Sequence, residues 1–181
     1  MQDLMNPQLK TLYDQLEQER RELIAELSKL GSGQFHHAPP GKWSICQILA
    51  HLIHAERLSI RYMTKKIQGI ETYRDTGWWE EVKMFLLKAS QRLPFKFKAP
   101  SVVVLSTPTY SGLDELNQDW GASRAELMSL LSGFKDDSVN KRVYRHIVAG
   151  ILNVKHALIF FREHFHHHLP QVRRLIPYDH S

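Results

Sequence analysis

Apolar residues recur at the spacing of an amphipathic helix in four long stretches of the chain. The first stretch has Asn6 as a candidate N-cap and Pro7 at the first helical position, and Gly31 is placed to stop the helix. The second stretch starts at Ser44, which forms a capping-box pattern with Gln47, and continues to about position 66. These patterns predict two long helices in the first part of the chain.

The third stretch extends from Ser111 to Gly133, and Asp114 completes a second capping-box pattern with Ser111. Residues 134–149 have no regular apolar pattern, so we predict a loop there. The fourth helix is predicted to follow Gly150 directly.

The fourth predicted helix ends at about Leu175 and contains Pro170, which should bend or loosen it. Between the second and third helices, Trp78–Leu87 fits a short amphipathic helix, and Val102–Leu105 fits either a short strand or an extended segment packed on the helices. One isolated strand cannot make a sheet. The predicted fold class is therefore all-α, a four-helix bundle with a long excursion between its second and third helices.

The composition is that of an ordinary globular protein, with 43% hydrophobic and 24% charged residues. The longest apolar runs, Val102–Leu105 and Ala157–Phe161, are far shorter than the roughly 20 residues that span a bilayer, so we expect no membrane partner. No linker divides the 181 residues, which predicts a single domain over 1–181. The N-terminus lacks the apolar core of a signal peptide, and we expect a cytoplasmic protein.

Charge and cysteine content exclude several further classes of site. The net charge is +5 and the pI is about 9.3, but the basic residues are scattered and form no nucleic-acid-binding motif. We therefore expect no nucleic-acid partner. A single cysteine, Cys46, excludes an intramolecular disulfide and a CxxC-type zinc site. Cys46 lies about 140° from His51 on an ideal helix, so no catalytic cysteine–histidine pair is predicted.

Histidine is the residue type that carries candidate chemistry, with 11 copies in the chain. His164 and His168 are four residues apart on the fourth helix, the spacing at which one helix face presents two imidazoles to a single metal ion. His51, at the edge of the apolar face of the second helix, is the best candidate for a third ligand. Three histidines would leave a coordination position open for water or substrate.

Two other interpretations of these histidines remain open. Eleven histidines make chance pairs at this spacing common, so His164 and His168 could form a solvated polar face beside a hydrophobic one. A single histidine at an apolar edge, such as His51, is more often a hydrogen-bonded core residue than a ligand.

Two segments of the chain resemble the signatures of the DinB/YfiT-like superfamily. Lys42–Leu52 is similar to its W-S-x-x-x-x-L-x-H-L segment, and His164–Val172 is similar to its closing H-x-x-x-H-x-x-Q-I signature. Shorter matches lie between them in the expected order, at Lys98–Pro100, at Trp120 with Arg124, and at Ala149–Asn153. The chain departs from the family where His-Pro is common, since it has His146-Ile147 there.

The resemblance implies an up-down-down-up four-helix bundle that holds a divalent metal ion, often zinc or nickel, through His51, His164 and His168. Members of the superfamily look like metal-dependent hydrolases or like transferases of a small thiol such as bacillithiol, mycothiol or glutathione. The implied partners are thus a small-molecule substrate or a low-molecular-weight thiol.

The first functional hypothesis is an enzyme whose metal-bound water or thiol attacks an electrophile. Gln171 and Glu56 are the candidates for binding the outer N–H groups of the ligands. On ideal helices Gln171 lies about 20° from His164, whereas Glu56 lies about 140° from His51. The alternative is a non-catalytic metal- or ligand-binding protein of a stress response.

A homodimer through an exposed helix face is a further expectation. Trp78 and Trp79, beside Phe85–Leu87, could form such an interface, cover the mouth of a pocket, or simply pack in the core.

Overall fold

The structure, a computed structural model, describes residues 5–92 and 108–176. Its helices are α1 (Pro7–Leu27), α2 (Ser32–His36), α3 (Ile45–Ile67), α4 (Trp78–Arg92), α5 (Leu113–Ser132) and α6 (Val154–Arg173). A 3-10 turn at Ile70–Thr72 precedes α4. Two three-residue strands, β1 (Tyr144–His146) and β2 (Gly150–Leu152), pair antiparallel before α6.

The start of α1 is confirmed and its predicted end is wrong. The Asn6 side chain accepts hydrogen bonds from two backbone N–H groups of the first turn. The helix ends at Leu27, where Ser28 keeps a right-handed conformation and its N–H bonds the carbonyl of the preceding turn. Gly31 has φ −64° and is the N-cap of the short helix α2, so it does not stop α1.

The predicted start of α3 is confirmed in detail. Ser44 Oγ accepts from the backbone N–H of Gln47 at 3.2 Å, and Gln47 Oε1 accepts from the backbone N–H of Ser44 at 2.9 Å. The predicted short helix is also present as α4, which continues past Leu87 to Arg92. The apolar run Val102–Leu105 lies outside the described residues.

The capping box predicted for the third long helix is wrong. The N-cap of α5 is Gly112, which has no side chain to cap with, and Asp114 takes no part. Instead, Glu115 Oε2 accepts from the backbone N–H and from Oγ of Ser111, at 2.7 and 2.6 Å. The longer Glu115 side chain reaches back past the N-cap, which an aspartate at the second helical position does not do here.

The loop predicted for residues 134–149 and the helix start after Gly150 are both corrected. The chain forms the β1–β2 hairpin, in which Gly150 has φ +77°, a conformation that glycine adopts without strain. The last helix begins only at Val154, because Asn153 caps it by accepting from the N–H of His156 at 2.9 Å. It then continues through Pro170 to Arg173.

Two hydrophobic clusters fill the interior, and the four long helices α1, α3, α5 and α6 contribute to both. The first cluster includes Leu9, Met63, Leu131 and Val154. The second cluster includes Leu27, Ile45, Leu116 and Val172. The start of α1 therefore packs near the end of α3, the end of α5 and the start of α6.

The described chain is mostly helical with one two-stranded sheet, which agrees with the predicted all-α class. Among the helices that the structure describes, none has the combined length and apolarity needed to cross a membrane.

Candidate metal centre

Two helices bring three histidines together. His51 lies in the second turn of α3, and His164 and His168 lie on successive turns near the end of α6. One ligand nitrogen from each ring lies within 4.8 Å of those from the other two. The ring centroids are 4.9 to 5.2 Å apart. The three imidazoles predicted from the sequence thus surround one point between α3 and α6.

The closest pair of nitrogens already has the spacing of a metal site. Nε2 of His51 and Nε2 of His164 are 3.3 Å apart. Two nitrogens that lie 2.0–2.1 Å from one tetrahedral zinc ion are about 3.4 Å from each other. The separation of this pair is therefore the one expected of two ligands of a single ion.

The cluster is buried, and burial keeps its imidazoles neutral. His51 and His168 are 6% and 9% exposed, and His164 is somewhat more accessible. Burial, followed by the neighbouring histidines, lowers the pKa of His51 to about 4 and that of His168 to about 3. The same causes hold the pKa of His164 well below its ordinary value. Neutral imidazoles have the free lone pairs that metal ligation requires.

Aromatic rings line the cluster on two sides. Trp43 packs against His51 with ring centroids 5.3 Å apart. Phe160 stacks on His164 at 5.3 Å with an interplanar angle of 14°. These walls fix the orientation of two imidazoles and limit access of water from their sides.

The ring nitrogens that do not face the centre of the cluster have few hydrogen-bond partners. Within the described part of the chain, Nδ1 of His51 and Nδ1 of His168 have no protein hydrogen-bond partner of good geometry. The side-chain amide of Gln171 is nevertheless close enough to His168 to act on its pKa, which it raises against the larger effect of burial. The structure therefore has Gln171 acting on His168, whereas its helix position pointed to His164, and its role as an outer hydrogen-bond partner of a metal ligand stays a prediction.

Glu56 lies elsewhere, in a buried ionic cluster. Its carboxylate accepts from Nη2 of Arg124 at 2.8 Å and from Nε1 of Trp120 at 3.3 Å. Nε of Arg124 is also 3.6 Å from Glu17. Burial raises the pKa of Glu56, and the Arg124 guanidinium opposes that rise. The structure therefore assigns Glu56 to the α3–α5 contact, which its angular separation from His51 allows.

Cys46 is also kept apart from the histidines. Its thiol is buried and lies 4.0 Å from the carbonyl oxygen of Tyr110. Burial raises the pKa of this thiol, which makes the reactive thiolate scarce.

His146 is a neighbour of the centre that sequence reasoning missed. Its Nδ1 accepts from the backbone N–H groups of Val148 and Ala149 at 3.2 and 3.1 Å. Nε2 must therefore carry the proton of the neutral ring. The ring packs on Phe160, with centroids 4.4 Å apart, on the same side chain that stacks on His164. A histidine in a predicted loop has no helical periodicity to place it. The signal in the sequence was the family resemblance, in which His146 stands where the superfamily often has His-Pro.

A comparison with protein-family models identifies the family of the chain. The model of the DinB superfamily matches residues 15–172, which covers the three histidines and most of the described elements. The chain therefore belongs to the DinB superfamily, and the resemblance of its two histidine segments is confirmed. No curated protein and no solved structure matches the chain.

Proposed function

We propose that this protein is a metal-dependent enzyme in which His51, His164 and His168 hold one divalent ion. The observation that carries the proposal is the meeting of three neutral imidazoles from two helices, two of them 113 positions apart in the chain. Buried polar atoms normally satisfy each other or a ligand. A metal ion that binds one nitrogen of each ring would give all three buried imidazoles a partner.

The donor set also limits which ion binds. Three imidazoles with no carboxylate among them suit zinc, nickel and similar transition metals better than the hard cations magnesium and calcium. We assign zinc or nickel, and availability in the cell decides between them. Three protein ligands leave a position for a water molecule or a small thiol, whose pKa a bound ion lowers.

The remaining residues of the site would orient the ligands and shape the open position. Trp43 and Phe160 hold the rings of His51 and His164 from the side. Gln171 would accept the outer N–H of His168.

We further propose that the four long helices have the up-down-down-up connection implied by the family. The membership of the two core clusters supports it. The starts of α1 and α6 share one cluster with the ends of α3 and α5. The ends of α1 and α6 share the other cluster with the starts of α3 and α5. This arrangement makes α3 and α6 antiparallel, which places an early residue of α3 beside late residues of α6.

The reaction is a hydrolysis or the transfer of a low-molecular-weight thiol to an electrophile. The test offers the zinc- or nickel-loaded protein small thiols with a chromogenic electrophile and, separately, ester and amide substrates. We expect turnover that is lost in His168→Ala and retained in His166→Ala, an exposed histidine of the same helix. Turnover that survives His168→Ala in folded protein contradicts the role of the metal. A bound ion with no turnover on either substrate class would favour a metal-binding protein without catalysis.

A further inference from the structure

Helix α4 is apolar on two opposite faces. Its inner face packs on the first hydrophobic cluster through Met84 and Leu87, which are 2% and 6% exposed. Its outer face exposes large side chains by 52% to 76%, namely Trp78, Trp79, Phe85 and Leu86. A helix with a single buried stripe would be expected to turn polar residues outward.

The four exposed side chains share one side of α4, and we call this set the α4 stripe. At 100° per residue they fall within an arc of about 120° on the side away from the core. The rings of Trp78 and Trp79 contact each other edge to face, with centroids 5.5 Å apart. Exposed apolar surface of this kind marks an interaction site.

Lysines flank the α4 stripe on both sides. On the helical wheel Lys83 lies about 40° beyond Trp79, and Lys88 lies about 60° beyond Phe85. The Lys83 and Lys88 side chains are 32% and 41% exposed, and their ion pairs with Glu80 and Glu163 are long, at 3.9 and 4.0 Å. Such pairs leave the ammonium groups able to reach an external anion.

The sequence from α4 to the start of α5 is predominantly basic. From Val82 to Leu113 the chain has no acidic residue and has five cations, at positions 83, 88, 92, 96 and 98.

Of the two acidic residues at the start of α4, Glu80 is buried and pairs with Arg142 at 3.0 Å. Glu81 is exposed on the Lys88 side of the stripe, and its carboxylate lies 3.0 Å from Nε2 of His156. Burial lowers the pKa of His156, so this contact does not neutralise the charge of Glu81.

We propose that the α4 stripe docks on the surface of an anionic lipid bilayer, with α4 lying in the plane of the interface. Indole, phenyl and leucyl side chains with flanking lysines are the composition of helices that insert their apolar face at the headgroup boundary. The lysine ammonium groups would contact the lipid phosphates, and the apolar side chains of the stripe would be buried away from water. The expectation of no membrane partner rested on the absence of a long apolar run that could span a bilayer. Docking on the surface of a bilayer does not need such a segment.

A second copy of the chain fits the stripe less well. A two-fold contact places the same patch against itself, so Lys83, Lys88 and the exposed Glu81 of one copy would face the same three groups of the other. Two lysines against one carboxylate leave an excess of positive charge on each copy. An anionic bilayer supplies the complementary charge along the whole stripe.

The test measures sedimentation of the full-length protein with vesicles of phosphatidylcholine alone and of an equal mixture with phosphatidylglycerol. We expect binding to the anionic vesicles at low salt, little binding to the neutral ones, and a loss of binding as salt rises. The emission of Trp78 and Trp79, exposed in the free protein, should shift to shorter wavelength on binding.

Variants separate the apolar and the electrostatic contributions. Phe85→Ser with Leu86→Ser should weaken binding by about ten-fold or more, because two apolar side chains no longer insert. Each of Lys83→Gln and Lys88→Gln should weaken it by about five-fold. Met128→Ser, an exposed apolar residue of α5 at 45% exposure, is the matched control and should bind like the wild type.

Three outcomes overturn the proposal. The first is no binding of the wild type to anionic vesicles at low salt. The second is unchanged binding of the folded Phe85→Ser and Leu86→Ser double variant. The third is a wild-type dimer in light scattering that this double variant converts to a monomer, which would assign the stripe to a second copy of the chain.

Discussion

Nε2 of His51 and Nε2 of His164 lie 3.3 Å apart, although 113 residues separate them in the chain. The two atoms come from α3 and α6, and each ring packs against an aromatic neighbour. Together with His168, this pair forms the candidate metal centre of a DinB-superfamily chain.

Gln171→Ala should weaken metal binding without removing it. The amide acts on His168 in the structure, and loss of such an outer partner typically lowers metal affinity by about ten-fold or more. Competition with a chromogenic chelator measures the change. Gln171→Glu keeps an acceptor oxygen at the same place and should retain the affinity. Equal affinities for the wild type and the alanine variant would remove Gln171 from the site.

Arg124→Met should destabilise the fold by about 3–5 kcal/mol, because it leaves the buried Glu56 carboxylate without its cation. Both side chains are nearly inaccessible, at 2% and 3% exposure. Urea unfolding measures the loss, and adding Glu56→Met should recover most of it.

Arg57→Met is the matched control for this ionic cluster. The pair of Arg57 with Asp119 also spans α3 and α5, at 2.8 Å, but its side chains are 19% and 31% exposed. The pair is bidentate, but solvent reaches both side chains, so we expect its loss to cost about 1–2 kcal/mol, less than that of Arg124. Similar costs for Arg57→Met and Arg124→Met would contradict the importance assigned to burial.

His146 should make the protein less stable in acid. Burial lowers its pKa from 6.5 to about 4, so the unfolded chain binds a proton between these values while the folded chain does not. Stability therefore falls as the pH drops below 6.5 and levels off below the folded pKa. The contribution of this one group is about 2 kcal/mol between pH 7 and pH 5.

Denaturant unfolding of metal-free protein at the two pH values tests this contribution. His146→Gln has no imidazole to titrate, so its stability should fall less between pH 7 and pH 5 than that of the wild type. The same fall in both proteins would mean that His146 is accessible to protons in the folded state.

Asn153→Ala should cost about 1–2 kcal/mol, because Asn153 caps α6 and also donates to Oγ1 of Thr76 at 2.7 Å. Asn140→Ala is a suitable control. Asn140 bonds Thr76 only through its backbone carbonyl, at 2.8 and 3.1 Å, which the substitution keeps. Thermal unfolding of the two variants should differ clearly, and equal midpoints would contradict the role of the cap.

Long amphipathic helices could be predicted because their apolar residues repeat over many turns. Ser44 with Gln47 was predictable as well, since a capping box is a local pattern. The pattern of Ser111 with Asp114 is the same in the sequence. In the structure, however, Glu115, one residue later, accepts from the backbone N–H of Ser111 in place of Asp114. Local patterns therefore fail where two acidic residues lie within reach of one cap.

The β1–β2 hairpin could not be predicted, because three residues per strand are too few to show an alternating pattern. The position of His146 depends on that hairpin, so its contact with Phe160 could not be predicted either. The histidine pair of α6 was visible from its spacing alone. Its meeting with His51 depends on the packing of α3 against α6, which the resemblance implied and periodicity did not.

Metal content tests the central claim most directly. Untagged wild-type protein is compared with His51→Ala, His164→Ala and His168→Ala by plasma mass spectrometry after reconstitution with zinc or nickel, with His166→Ala as the control. The account predicts close to one divalent ion per chain in the wild type and the control, and loss of the ion in each of the three ligand variants. No ion in the wild type, or full occupancy in the three variants, would contradict it.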